Sequence, residues 1–323
     1  MGKFIPTKCC IYLDQFAVSN LSEEEGWKDI LKILKTGISS QRIFIPYSTE
    51  HLIESSLKDP INAQKTDKLF YSLTNGVGLD VEHRINSRYL INAIRNRPIS
   101  FSTYCKTYPS SIFENESELI HFQALKNMFN KMSSESTSLV NDLRSIRRPV
   151  QSQNFNRLSE SVNFLSSHYQ EELEHRLKKY SKYGFFDRKT INFSMISIPH
   201  WADSIMDELI YVFKLTQKEA KKGYLFLVKN GVKKTIPPLY VRTSLEAIIA
   251  LKQQKETSND HIDIMRLCTA IPFSDIILTD KSKAFDIKTL KLDIEFNFDV
   301  YSGSRKDIIL FKDRISEIVE YKN

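Results

Sequence analysis

Near both ends of the chain, uninterrupted apolar runs that finish on a polar or acidic residue alternate with stretches of helical periodicity. Cys9-Cys10-Ile11-Tyr12-Leu13 stops at Asp14; Arg42 to Tyr47 makes a second run, and Val77 to Val81 a third after the Asn75-Gly76 turn. Much later, Asp275-Ile276-Ile277-Leu278-Thr279 leads to Asp280. Runs apolar on both faces predict buried parallel strands, and an acid just past such a strand stands at the carboxyl edge where open α/β sheets gather their chemistry. Between these runs, Leu21 to Leu34 predicts an amphipathic helix with Ile30, Leu31 and Leu34 inward, opened by a capping-box pattern of Ser22 and Glu25. Ser48 and Thr49 stand where they cap a helix that bears Glu54.

From about residue 82 to 235 the strand-like runs give way to long helical periods. Leu158, Val162, Leu165, Tyr169, Leu173 and Leu177 recur at helical spacing and predict one long helix ending near Tyr183-Gly184. A second helix is predicted from Trp201 to about Lys222, with Ile205, Leu209, Val212 and Phe213 as its buried stripe. Pro237-Pro238 then restarts the alternation: a helix, an acidic helix from Asn259 to about Ala270, the strand that ends at Asp280, the segment Leu292 to Tyr301, and a last helix from Lys306 to Val319. The predicted fold class is α/β, a central mostly parallel sheet covered on both faces, built from residues 1–81 and 236–323, with residues 82–235 as a large all-helical insertion or cap.

With 323 residues, 41% of them hydrophobic, the chain can bury one large core or two modest ones. No apolar run approaches the roughly 20 residues that cross a bilayer, and Met1 to Pro6 is too short for a signal peptide, so a cytoplasmic protein without membrane contact is expected. Cys9, Cys10, Cys105 and Cys268 lack the C-x-x-C spacing of a zinc site and fit reduced, buried thiols. The net charge of +7 and a pI near 9.0 gain weight if several acids collect in one cleft, since the remaining surface is then more basic still and suits a nucleic acid. The middle block carries much of that charge in Arg144, Arg147, Arg148, Lys178, Lys179 and Lys182, which are the expected phosphate contacts of a bound nucleic acid, with Tyr180, Tyr183, Phe185 and Phe186 among them as rings for bases to stack on; the plainer reading is a solvated basic helix with a packed aromatic end.

Asp260 and Asp263 fall on one helical face about one turn apart. Like charges at that separation repel by roughly 1 kcal/mol in water and by more near a protein surface, and a divalent cation reverses the sign. Carboxylates without a cysteine or histidine cluster select hard Mg²⁺ or Mn²⁺. Each acid also has a plainer role. Asp14 and Asp280 can cap the helices that follow them, Asp275 can cap the start of its strand, and Asp260 and Asp263 can complement a helix N-terminus. His51 and His261, beside the acids, read as supporting or surface residues.

Tyr12-Leu13-Asp14-Gln15, Pro46-Tyr47-Ser48 followed by His51 and Glu54, Asn259-Asp260-His261-Ile262-Asp263, and Ile271-Pro272-Phe273-Ser274-Asp275 running on to Asp280 together resemble the PIN-like nucleases in order and chain position. The resemblance covers about residues 8 to 80 and 236 to 323 and leaves the helical block unexplained. It implies a three-layer fold whose acids hold Mg²⁺ or Mn²⁺ and hydrolyse RNA, in some members DNA, leaving a 5′-phosphate and a 3′-hydroxyl. Carried over, Asp14, Glu54, Asp263 and Asp280 are the catalytic acids, with Asp14, Asp263 and Asp280 on the metal, Asp260 as rival or additional ligand and Thr279 orienting a carboxylate or a water. The implied protein is an endoribonuclease of toxin, defence or RNA-processing type, restrained by an antitoxin-like or other regulatory partner. A PIN-like module that binds RNA or protein without cleavage, and a DNA nuclease, are the alternatives.

Other chemistries fit less well. A haloacid-dehalogenase phosphatase needs a second Asp where Phe16 stands, and a response-regulator receiver needs an acid pair and a later lysine that have no clear counterparts. The Arg-to-His spacing of HEPN ribonucleases does not occur near the basic helices, and no G-x-x-x-x-G-K-[ST] phosphate loop exists.

Overall fold

The structure is a computed structural model that describes residues 8–48, 51, 60–107, 158–192, 197–252 and 258–320. The described chain forms two compact units of mixed α/β composition: residues 8–80, 104–107 and 270–320 make a sheet unit, and residues 81–103 and 158–269 a helical unit.

In the sheet unit, β1 (Cys9–Leu13), β2 (Ile43–Phe44), β8 (Ile276–Thr279) and β9 (Asp299–Ser302) form a wholly parallel sheet in the order β2-β1-β8-β9. The predicted strand from Arg42 to Tyr47 divides at Ile45-Pro46, where proline has no N–H to give a ladder. Its second piece, β3 (Tyr47–Ser48), pairs parallel with β4 (Val77–Leu79), which pairs antiparallel with β5 (Cys105–Thr107). β5 lies inside the stretch expected to be helical; three residues are too few to show a period.

Side-chain alternation divides the sheet. Ile11, Leu13, Ile43, Ile276 and Leu278 point into one core with α1 (Gln15–Glu23), α2 (Lys28–Ser39), α3 (Pro60–Thr74) and α13 (Arg305–Glu320), through Val18, Leu21, Ile30, Leu34, Phe70, Leu73, Phe311 and Ile315. Each such buried aliphatic or aromatic side chain contributes about 1.5–3 kcal/mol. α2 lies close enough on β2 that a Cβ at Gly37 would meet the Ile43 side chain. On the opposite face, Phe44, Phe273 and Tyr104 form a ring cluster, with centroids 6.2 Å apart for the first pair and 4.4 Å for the second.

The expected helix from Leu21 to Leu34 is two helices. Asp14 starts α1, Glu24 takes an extended backbone, and Ser22 Oγ donates to Ser19 O instead of closing a capping box. Glu25–Trp27 is a single 3₁₀ turn before α2.

The helical unit consists of α4 (Glu82–Arg95), the start of the short α5 (Phe101–Tyr104), α6 (Leu158–Tyr183), α7 (Trp201–Asp207), α8 (Gln217–Thr235), α9 (Pro237–Leu251) and α10 (Ser258–Ala270), whose last residue belongs to the sheet unit. α6 has the predicted extent, with Val162, Leu173 and Leu177 buried. A Cβ at Gly223 would lie 2.7 Å from Ile94 Cδ1 and 3.8 Å from Leu177 Cδ1, so α4, α6 and α8 converge where α8 has no side chain. The predicted helix from Trp201 to Lys222 is interrupted: α7 runs into a π turn (Glu208–Val212), Lys214 adopts a φ of 53°, and Thr216 with Glu219 forms a capping box that starts α8 afresh. Val212, expected in the buried stripe, is therefore exposed.

Two corrections to the expected domain plan follow. The block 82–235 is not all helical, because β6 (Thr190–Asn192) and β7 (Ser197–Pro199) form an antiparallel hairpin and β5 returns to the sheet unit. α9 and all but the end of α10 belong with the helices. The reason is polar as well as apolar: Arg242 of α9 pairs with Glu82 of α4 and with Glu246, Tyr169 of α6 donates to Glu246 at 2.7 Å, and Ser166 bonds Thr243 at 2.8 Å. Among the described residues no helix is long and apolar enough to cross a membrane.

Candidate active site at the carboxyl edge of the sheet

β1 and β8 run parallel with Leu13 opposite Leu278, so the residues that follow, Asp14 and Thr279, emerge side by side. Asp14 N donates to Leu278 O at 2.9 Å and extends the ladder to the sheet edge. There the Asp14 carboxylate divides its oxygens: Oδ1 accepts from Gln15 N at 2.7 Å as the N-cap of α1, and Oδ2 accepts from Thr279 Oγ1 at 2.8 Å. Thr279 is fully buried and Asp14 is 7% exposed. One residue on, Asp280 caps α11 (Lys281–Thr289) through Oδ1, which accepts from Ser282 N at 2.7 Å and Lys283 N at 3.0 Å. Its Oδ2 has no hydrogen bond among the described residues. Two strand ends thus deliver two carboxylates and a hydroxyl to one edge, because both strands stop at a residue that begins a helix.

His51 is buried just behind Asp14. Its Nε2 lies 3.0 Å from Leu13 O and 3.4 Å from Tyr12 Oη, and its Nδ1 lies 3.2 Å from Ser48 N. A carbonyl on one side and an amide on the other assign the proton to Nε2. Tyr12, Tyr47 and Phe70 surround the ring, with centroids 5.4, 5.9 and 4.6 Å away. The sequence offered His51 as support or surface; it is a buried tie between the ends of β3 and β1. Lys283 and Asp286, also buried, were not selected from sequence. The available signal was their position on the same side of α11 as Ile287, which is the buried face.

Asp275 has the structural role its position suggested. Its Oδ2 accepts from Cys10 N at 2.8 Å at the opposite end of the same strand pair. Burial pushes the Cys10 thiol well above its ordinary pKa, and none of the four cysteines is in a disulfide.

Asp260 and Asp263 stand on α10 within the helical unit, where Asp263 forms an ion pair with the buried Arg266 three residues on. That guanidinium offsets the repulsion expected of the acid pair. Lys178, Lys179 and Lys182 lie along the last turns of α6. Glu54, Arg144, Arg147 and Arg148 fall outside the described residues. Among the described residues no group of three His, Cys, Asp or Glu side chains comes together that could hold a metal ion. Asp14 and Asp280 are oxygen donors of the kind hard cations take, and by themselves are a partial ligand set.

No protein-family model, curated protein or solved structure matches the chain.

Proposed function

We propose that the protein is a PIN-like, Mg²⁺- or Mn²⁺-dependent endoribonuclease acting at the edge formed by Asp14, Thr279 and Asp280. The observation that supports this reading is the in-register end of β1 and β8, which brings Asp14 and Thr279 to within 2.8 Å although they are 265 residues apart in the chain. Asp14 and Asp280 are the residues that would hold the cation, and Glu54 is the acid the sequence supplies next along the chain. A bound Mg²⁺ or Mn²⁺ in such a site activates water and offsets charge on the phosphodiester. The protein's own groups set the geometry. Thr279 fixes the rotation of the Asp14 carboxylate, His51 anchors the Leu13 carbonyl behind it, and Asp280 presents Oδ2. Hydrolysis adds water across the P–O3′ bond and leaves a 5′-phosphate and a 3′-hydroxyl. The restraining partner is a regulatory or antitoxin-like protein.

Single-stranded RNA and DNA offered to the full-length protein with Mg²⁺, Mn²⁺ or EDTA test the proposal. Cleavage of RNA that disappears both in EDTA and in Asp14→Asn supports it; undiminished turnover by Asp14→Asn removes the assignment.

A second reading, a module that binds RNA without cutting it, draws on one observation: Asp14 and Asp280 both serve as helix N-caps, a role that by itself accounts for an acid at each position. RNA binding with no cleavage under either metal decides for it.

A further inference from the structure

Within the helical unit, a groove of about 630 Å³ runs between the end of α4 and the start of α8, and Arg95, Arg97, Lys218, Glu219, Lys221 and Lys222 line it. Its one carboxylate, Glu219, is taken up by Arg95, with Nε–Oε1 at 2.8 Å. Arg97, Lys218, Lys221 and Lys222 are exposed and make no ion pair among the described residues. Four uncompensated cations on one groove favour a polyanion.

Beside this charge stand aromatic side chains left in water. Tyr180 Oη donates to Leu215 O at 3.1 Å, and a Cβ at Gly184 would lie 3.3 Å from Gln217 Nε2, so the end of α6 abuts the start of α8. Just past that junction Tyr183 and Phe185 are 52% and 57% exposed, with ring centroids 5.8 Å apart. Lys182 lies 4.8 Å from the centre of the Tyr183 ring, and Lys178 lies 5.8 Å from that of Tyr224. Arg188, ion-paired to Asp207, spans Phe186 and the exposed Tyr211 at 5.7 and 5.8 Å.

We infer that this end of the helical unit is a binding surface for single-stranded nucleic acid, with Arg97, Lys218, Lys221 and Lys222 on the phosphates and Tyr183 and Phe185 as stacking platforms for bases. A duplex would use the charge alone, because its bases are stacked on one another. Exposed rings bordered by cations are what an unpaired strand adds. The inference rests on the nucleic-acid reading above for the class of partner and involves none of the carboxylates at the sheet edge.

The test is fluorescence anisotropy of the full-length protein in EDTA with a fluorescein-labelled oligouridine of about 20 nucleotides, long enough for a stacking groove, and an RNA duplex of equal length. The triple variant Lys218→Glu, Lys221→Glu, Lys222→Glu is expected to weaken binding of the single strand at least about tenfold and to lower the salt slope by about 2, at roughly 0.7 per phosphate contact. Tyr183→Ala with Phe185→Ala is expected to weaken the single strand about tenfold and the duplex less than about twofold. If the triple variant does not melt like the wild type, Arg97→Glu alone replaces it. Single-strand affinity within about twofold of wild type in a folded charge variant, or equal losses for strand and duplex in the aromatic variant, overturns the inference. Wild-type cleavage with binding indifferent to these residues overturns the surface and leaves the active-site reading standing; binding through them without cleavage does the reverse.

Discussion

Thr279 Oγ1 donates to Asp14 Oδ2 at 2.8 Å, joining the ends of two neighbouring parallel strands. The bond is buried, and the threonine is the only one of the two that is wholly enclosed. Thr279→Val keeps the shape and removes the donor. A buried bond to a carboxylate contributes about 1.5–3 kcal/mol, so a drop of that size in unfolding free energy is expected in a denaturant titration. Under the nuclease reading, RNA turnover falls as well, since the Asp14 carboxylate loses the group that sets its rotation.

Asp14 carries two roles that substitution separates. Asn retains a cap oxygen at the start of α1, whereas Ala retains neither the cap nor a partner for Thr279. Asp14→Asn is therefore expected to melt close to wild type yet to lose cleavage, and Asp14→Ala to lose cleavage and more stability than Thr279→Val, by the roughly 1 kcal/mol of the cap. Thermal melts and single-turnover cleavage run side by side check this; an active Asp14→Asn protein contradicts the catalytic role.

Arg176 is buried in the helical unit, where it pairs with the equally buried Asp203 and with Glu172 and donates to His200 Nδ1 at 3.1 Å. Asp203 also accepts from Lys189 N at 2.6 Å, which fastens the segment leading into the β6–β7 hairpin. Arg176→Met leaves a buried carboxylate without its cation and is expected to cost about 3–5 kcal/mol by urea unfolding. Adding Asp203→Leu should recover a large part of that loss, and a double variant no more stable than Arg176→Met would show that the pair is not coupled.

Glu219 supplies a dependence on acid. The side-chain hydrogen bond from Arg95, and then the backbone N–H of Thr216, hold its carboxyl at about 2, below the ordinary 4.5. A lowered folded-state value means that the unfolded chain binds the proton more readily, so this contribution is complete above about 4.5 and is lost as pH falls toward about 2. Glu82 shifts the other way, because burial outweighs Arg242, so whole-protein acid titration mixes opposite signs. The stability difference between wild type and Arg95→Met isolates the Glu219 contribution. It should be largest near neutrality and shrink with acid, and a difference independent of pH contradicts the assignment.

The residues near the two chain ends made much of the sheet unit legible. Cys9–Leu13 and Ile276–Thr279 are apolar on both faces and are strands in the structure, and the spacing of Leu158 to Leu177 specified α6 to its last turn. Asp14, Thr279 and Asp280 could be named because a strand-to-helix junction is a local pattern. Other features were not local. That Leu13 sits opposite Leu278, and so Asp14 beside Thr279, depends on a pairing across most of the chain. β5 is too short to announce itself, and Pro237 opens a helix identically whether it packs on a sheet or on other helices. Tertiary contacts decided that α9 joins the helical unit, through the bonds of Arg242 to Glu82 and of Tyr169 to Glu246, and that α10 carries Asp260 and Asp263 in that unit. Hydrophobic periodicity fixes which side of an element is buried; which partner buries it is set by long-range packing and by how buried charges find counter-ions, and neither is written in a local window of residues.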